Sequence, residues 1–265
     1  MNAPDTSAAP ILLREDKEGV ATLTLNRPTQ FNSLSEEMLN ELQAALDGIA
    51  ADASVRVVVV AGAGKAFCSG HDLKQMRANH GKAYMQKLFR QCGRVMMTIT
   101  VMPQPVIARI HGIATAAGCQ LVAMCDLAVA AESAKFAVSG INLGLFCATP
   151  SVALGRAMGR KQAMEMLLTG DFIDAAEAQR RGLVNRVVPL EQLDAEVKKL
   201  TDSICAKSSV ALAMGKALFY KQLEMGLDGA YQLAAETMAC NMMADDAAEG
   251  IDAFMQKRKP EWKGC

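Results

Sequence analysis

The chain has 265 residues, 51% of them hydrophobic, with 28 Lys and Arg balanced by 28 Asp and Glu. That length fits one large domain or a core with a smaller appendage, and a formal charge of zero without a long basic block excludes nucleic acid as a main partner. Apolar runs such as residues 57–63 are too short to cross a bilayer, so no membrane span is expected.

Residues 1–10 carry neither an apolar signal core nor an Arg-rich amphipathic pattern, and read as a disordered lead-in to a cytoplasmic protein. Residues 20–25 alternate as a half-buried strand. Ser33-Leu-Ser-Glu36 resembles a capping box, and Met38, Leu42, Leu46 and Ile49 follow at helical spacing to about Ala51. Residues 55–61 form a continuous run rich in valine, as in a strand buried on both faces of a parallel sheet.

A loop over 62–70 then leads to one helix predicted over about 73–99. Met102-Pro-Gln-Pro105 breaks the pattern, and residues 106–110 are the next strand. A turn of small residues opens a helix to about Met124, and residues 127–131 return as strand. This strand–loop–helix rhythm argues for an α/β fold with right-handed winding. Beyond Gly159 the chain is mostly helical. Asp174-Ala-Ala-Glu177 caps one helix that Gly182 closes, and three more helical stretches are predicted over about 190–205, 208–225 and 228–256. The division expected is 1–10 lead-in, 11–190 core and 191–265 helical region.

Eight cysteines form no Cys-x-x-Cys pair and only three histidines are present, so neither a disulfide framework nor a metal site is expected. Gly62-Ala-Gly64 lacks the third glycine of a dinucleotide fingerprint, and Gly64-Lys65 lacks the spacing of a phosphate loop. Two segments stand out instead: Lys65-Ala-Phe-Cys-Ser-Gly-His71-Asp72-Leu73 and Ile113-Ala-Thr-Ala-Ala117-Gly118-Cys119-Gln120. Each leaves a buried strand and enters a helix. Side by side, they could aim two backbone N–H groups at one carbonyl oxygen, each donor lowering a barrier by roughly 3 kcal/mol. By residue type alone they could equally be ordinary strand–helix turns.

These segments resemble the paired oxyanion-hole motifs of the crotonase superfamily, the enoyl-CoA hydratase/isomerase family. So do Leu25-Asn-Arg-Pro28 with Asn32-Ser-Leu34, Met166-Leu-Leu-Thr-Gly-Asp171, Ala178-Gln-Arg-Arg-Gly182 and Glu249-Gly-Ile-Asp-Ala-Phe254, in the family's order from about 11 to 260. The resemblance implies a crotonase-type (ClpP/crotonase) α/β spiral of ββα units with a C-terminal helical trimerisation region, assembled as a homotrimer or homohexamer. It implies an acyl-CoA thioester as substrate, coenzyme A arriving only as part of it, and no permanently bound cofactor. The oxyanion donors would be the N–H groups of His71 and Ala117. Ala66, Cys68, Ser69, His71, Asp72, Leu73 and Lys74 would clasp the CoA, with Lys257 meeting its phosphates.

Hydratases of the family use two glutamates to place and activate a water. Here Gln120 occupies the first slot and Gly140 the second. An amide orients water but cannot take its proton, and glycine supplies nothing. Hydration of a 2-enoyl-CoA is therefore expected to be weak or absent. The alternatives are a thioester hydrolase or isomerase with a different base, or a non-catalytic acyl-CoA binder. His71 and His80 are candidate bases, although the His71 side chain is expected to point away from the thioester. Cys68 and Cys147 are candidate nucleophiles without an evident activating partner. Asn142 and Cys147-Ala-Thr149-Pro-Ser151 replace a glycine-rich stretch of the family at the pocket wall.

Overall fold

The computed structural model describes residues 9–265. Most of the expected lead-in, residues 1–8, lies outside the described residues. The chain opens with an antiparallel hairpin, β1 (Leu12–Lys17) and β2 (Val20–Leu25), turned by Glu18 and Gly19 at positive φ. β1 escapes the sequence reading because it is an exposed edge strand, Leu-Leu-Arg-Glu-Asp-Lys, with no buried alternation. Helix α1 (Glu36–Ala50) follows and buries Met38, Leu42, Leu46 and Ile49. Its cap is Ser35, whose Oγ accepts from Met38 N at 3.3 Å, rather than Ser33.

β3 (Val57–Gly62) leads into β4 (Ala66–Cys68), a short strand inside the expected loop. The single helix expected next is two, α2 (Leu73–Ala78) and α3 (Lys82–Val101). Asn79 leaves helical geometry, and Gly81 enters α3 in extended conformation. Then come β5 (Val106–Ile110), β6 (Ile113–Thr115), α4 (Ala117–Met124), β7 (Leu127–Ala131) and β8 (Lys135–Ala137). A 3-10 turn over Ser139–Leu143 precedes α5 (Ala148–Ala157) and α6 (Arg160–Thr169). β9 (Ile173–Asp174), α7 (Ala175–Arg180) and β10 (Arg186–Val188) complete the core. The Asp174 cap is as expected, its Oδ1 accepting from Glu177 N at 2.8 Å.

The strands sort into two sheets, ordered β1-β2-β3-β5-β7-β10 and β4-β6-β8-β9. In three successive turns of the chain, the first strand of each pair joins the large sheet and the second joins the small one. The result is the spiral of ββα units that the resemblance implied. Val58 and Val60 of β3 face the main core, while Val57 and Val59 pack under Leu193 and Val197, so this strand is buried on both faces.

Four C-terminal helices replace the three expected: α8 (Leu193–Cys205), α9 (Ser209–Gln222), α10 (Leu227–Met242) and α11 (Asp245–Met255). The last two separate at Met243 and Ala244, where Ala244 turns extended and caps α11.

α9 is tied to the spiral by a buried charge cluster. Lys216 Nζ lies 2.6 Å from Asp126 Oδ2 and donates to the Gln104 carbonyl at 2.8 Å. Asp126 also accepts from Tyr220 OH at 2.8 Å and Val106 N at 2.7 Å. Only 7% of the lysine side chain and 15% of the aspartate are exposed, so removing one partner strands the other charge. We expect Asp126→Ala to cost about 3–5 kcal/mol in urea unfolding; a loss within the range of a surface pair, below about 1 kcal/mol, contradicts this role.

Candidate active site

Two turns meet where the small sheet gives way to helices. The first runs from β4 through Gly70 to His71, then into α2; the second runs from β6 through Ala116 into α4. Their backbones approach as closely as the absence of side chains permits. A methyl group on Gly118 would stand 2.1 Å from the Cys68 carbonyl oxygen, and one on Gly70 would stand 3.1 Å from Ala117 N. Gly70 also adopts φ +93°, open to glycine. Thr115 Oγ1 donates to the Ser69 carbonyl at 3.0 Å, pinning the turns together.

The polar groups around these turns are nearly all engaged. Leu34 N donates to the Gly70 carbonyl at 2.8 Å, and Ala116 N donates to the Ala137 carbonyl at 2.9 Å. His71 bridges to Leu34 in parallel register, which uses the N–H and carbonyl of Leu34 and leaves the His71 N–H directed away. Ala117 is the first residue of α4, so its N–H has no intrahelical acceptor. Among the described residues, neither the His71 nor the Ala117 N–H has an acceptor. Ala116 precedes the second donor at φ +49° and ψ −120°, a strained conformation for a residue with a side chain, costing about 1–3 kcal/mol. That strain sets the orientation of the Ala117 peptide.

Both residues line one cavity of about 200 Å³. Its walls are mostly apolar: Leu73 and Met76 of α2, Phe89 of α3, and Leu143, Leu145, Phe146 and Pro150 around the start of α5. Ser69, Ser139, Cys147 and Thr149 add small polar groups, and among the described residues no carboxylate lines it. The imidazole of His71 stands edge-on to Phe89 with centroids 5.4 Å apart, both nitrogens sealed from solvent and without a hydrogen-bond partner. It presents no nitrogen to the cavity.

The other expected residues scatter in role. Ala66 and Cys68 are buried in β4, and burial pushes the Cys68 thiol up to about 12. Asp72 caps α2, accepting from Lys74 N and Gln75 N, and pairs with Arg27 at 3.1 Å; its carboxylate is committed to the fold rather than turned to a ligand. Lys74 is exposed on α2, His80 is exposed at the break before α3, and Lys257 is exposed past the end of α11 at φ +57°. None of the three lines the cavity. Gln120, the fourth residue of α4, is 4% exposed with an unpartnered Oε1, and it too is absent from the cavity wall. Gly140 lines the wall directly. The walls from Met76 and Phe89 went unread, because an apolar helix face has the same spacing whether it meets a core or a ligand.

Burial holds the His71 and His111 imidazoles below their ordinary value, the second against the opposing pull of the Gly64 carbonyl. The unfolded chain regains an ordinary histidine pKa of about 6.5. It therefore binds protons that the folded chain refuses, so stability is full above that pH and declines as pH falls below about 6.5. We expect the melting temperature to drop between about pH 7 and pH 5, and His71→Leu to flatten part of that drop. An identical pH profile for the variant would contradict the assignment.

The sequence profile of the enoyl-CoA hydratase/isomerase family matches residues 15–265. A crystal structure of an enoyl-CoA hydratase from Mycobacterium smegmatis superposes with a TM-score of 0.94 at 59% identity, covering 96% of this chain and 99% of that one. The human enoyl-CoA hydratase domain-containing protein 3 superposes with a TM-score of 0.93 at 44% identity, covering 96% and 100%. The mitochondrial enoyl-CoA hydratase domain-containing protein 3 of Xenopus laevis is 45% identical over 96% of this chain and 86% of its own length. Relatives of that name in mouse and human are also designated mitochondrial, which overturns the cytoplasmic expectation. With the spiral of ββα units, the paired glycine-tight turns and these likenesses together, the chain belongs to the enoyl-CoA hydratase/isomerase family.

Proposed function

We propose that this protein binds an acyl-CoA thioester and stabilises its enolate form, the thioester oxygen accepting from the His71 and Ala117 N–H groups. The observation that carries this reading is the pair of unclaimed donors held against each other at the mouth of α4, on the wall of an apolar cavity. Donors fixed before the reaction need no reorganisation as charge develops, and each contributes about 3 kcal/mol to the barrier. The helix N-terminus adds a favourable partial charge. Ser69 and Leu73 share the cavity with these donors, which supports a part for them in the proposed CoA clasp. Lys257 remains a proposed phosphate contact.

The same cavity argues against ordinary hydration of the double bond. By the resemblance, Gln120 and Gly140 stand at the carboxylate positions, and among the described residues no Asp or Glu lines the wall. Burial raises the Cys147 thiol, which leaves it protonated at neutral pH. Stabilisation of the oxyanion is therefore retained while the proton transfers are not. A non-catalytic acyl-CoA binder is the second reading, favoured by this same lack of a base.

Calorimetric titration should show butyryl-CoA binding, whereas crotonyl-CoA hydration should run slower by roughly 10²–10⁴-fold per missing acid–base group than in glutamate-bearing relatives. Hydration at those relatives' rates would refute the proposal. Gln120→Glu alone should recover little, because the second carboxylate is still missing.

The C-terminal region exposes Leu227, Tyr231, Met243 and Phe254 to solvent. We propose that its helices mediate self-association. Sedimentation equilibrium should give a species of about three or six chains under closed symmetry, and a monomer at micromolar concentration would exclude it.

A further inference from the structure

Position 140 is not an empty slot awaiting a carboxylate. A methyl group there would stand 2.7 Å from Cys147 Sγ and 2.7 Å from the Leu145 carbonyl oxygen. The backbone creates this crowding. The 3-10 turn over Ser139–Leu143 ends at Gly144 with φ +75°, and Leu145 N donates back to the Gly140 carbonyl at 3.0 Å. The segment doubles over itself and delivers Cys147 to the head of α5. There Sγ donates to the Val138 carbonyl at 3.5 Å, on the side where a longer residue 140 would have projected.

Cys147 is 9% exposed and lines the cavity together with His71, Ala117 and Gly140. We infer that Cys147, and not residue 140, supplies the side chain that meets the acyl group at this wall, replacing a water-activating carboxylate with a small, weakly polar surface. The inference rests on the thioester reading above and makes it more specific. An acyl chain whose thioester oxygen sits on the two N–H groups fills the cavity against this sulfur. The neutral thiol neither orients nor deprotonates a water, so the wall suits a hydrocarbon acyl group held dry. The glycine at 140 follows from the same packing, since any side chain there must displace either the sulfur or the Leu145 peptide.

The wild-type protein provides the test. It is treated with N-ethylmaleimide alone, with free CoA or with butyryl-CoA, and modification of each cysteine is followed by peptide mapping. Calorimetry runs in parallel. With butyryl-CoA at ten times its Kd, modification of Cys147 should slow about tenfold. Free CoA at matched occupancy should leave Cys147 reactive, and exposed Cys240 should react equally throughout. Unchanged labelling of Cys147 while calorimetry shows butyryl-CoA bound overturns the inference, as does equal protection by free CoA. Failure of butyryl-CoA to bind at all brings down the thioester reading itself. As a second measurement, Cys147→Asp should weaken butyryl-CoA binding at least about tenfold by burying a carboxylate against the acyl chain. Free CoA affinity should not change. Unchanged butyryl-CoA affinity in a folded Cys147→Asp protein also overturns it.

Discussion

The contact between Gly118 and the Cys68 carbonyl is the constraint on which the site depends. No side chain fits between these two backbones, because even a methyl group would stand 2.1 Å from the carbonyl oxygen. The small sheet places β4 beside β6 in parallel, and the glycine lets α4 start directly behind β4. Once that distance is set, Gly70 comes against Ala117 N, and the two free N–H groups share a cavity. The large sheet, with β3 buried on both faces, holds the strands that feed these turns. Packing energy in the core therefore becomes precision at the donors.

Precision carries a cost in local strain and unpaired polar groups. Ala116 holds a positive φ despite its methyl group, and both nitrogens of His71 and the Oε1 of Gln120 are buried without partners. Groups of this kind are tolerated only where the surroundings over-determine them, and Ala116 and His71 both line the cavity. The charges of the region are spent on scaffold. Arg27 pairs with Asp72, which caps α2, and Asp126 with Lys216 clamps α9. The cavity is left with neutral walls and backbone dipoles, a combination suited to stabilising charge on a ligand and poorly suited to moving protons.

Much of this was legible in the sequence for specific reasons. The β-branched run of β3, the periodic face of α1 and the breaks at proline and glycine give strong local signals. The short strands β4 and β8 carry no such signal, since three residues cannot display a period. The split between α2 and α3 was hidden because Asn79-His80-Gly81 interrupts a pattern that resumes in nearly the same phase. The Ser33–Glu36 capping box misled because Ser35 caps equally well and Ser33 has partners 39 residues away in Asp72.

Local residue patterns carried the strand–loop–helix rhythm, the two small-residue turns and the lack of carboxylates at positions 120 and 140, while the order of the motifs carried the resemblance to the family. These are properties of local spacing and composition, which a chain carries before it folds. Tertiary structure alone decided that Asp72 pairs with Arg27, that the imidazole of His71 packs edge-on to Phe89, and that Cys147 occupies the space beside Gly140. Each depends on which distant backbone arrives within about 3 Å, the scale on which a single hydrogen bond or methyl group excludes alternatives. A linear sequence specifies that outcome only through the packing of the whole chain.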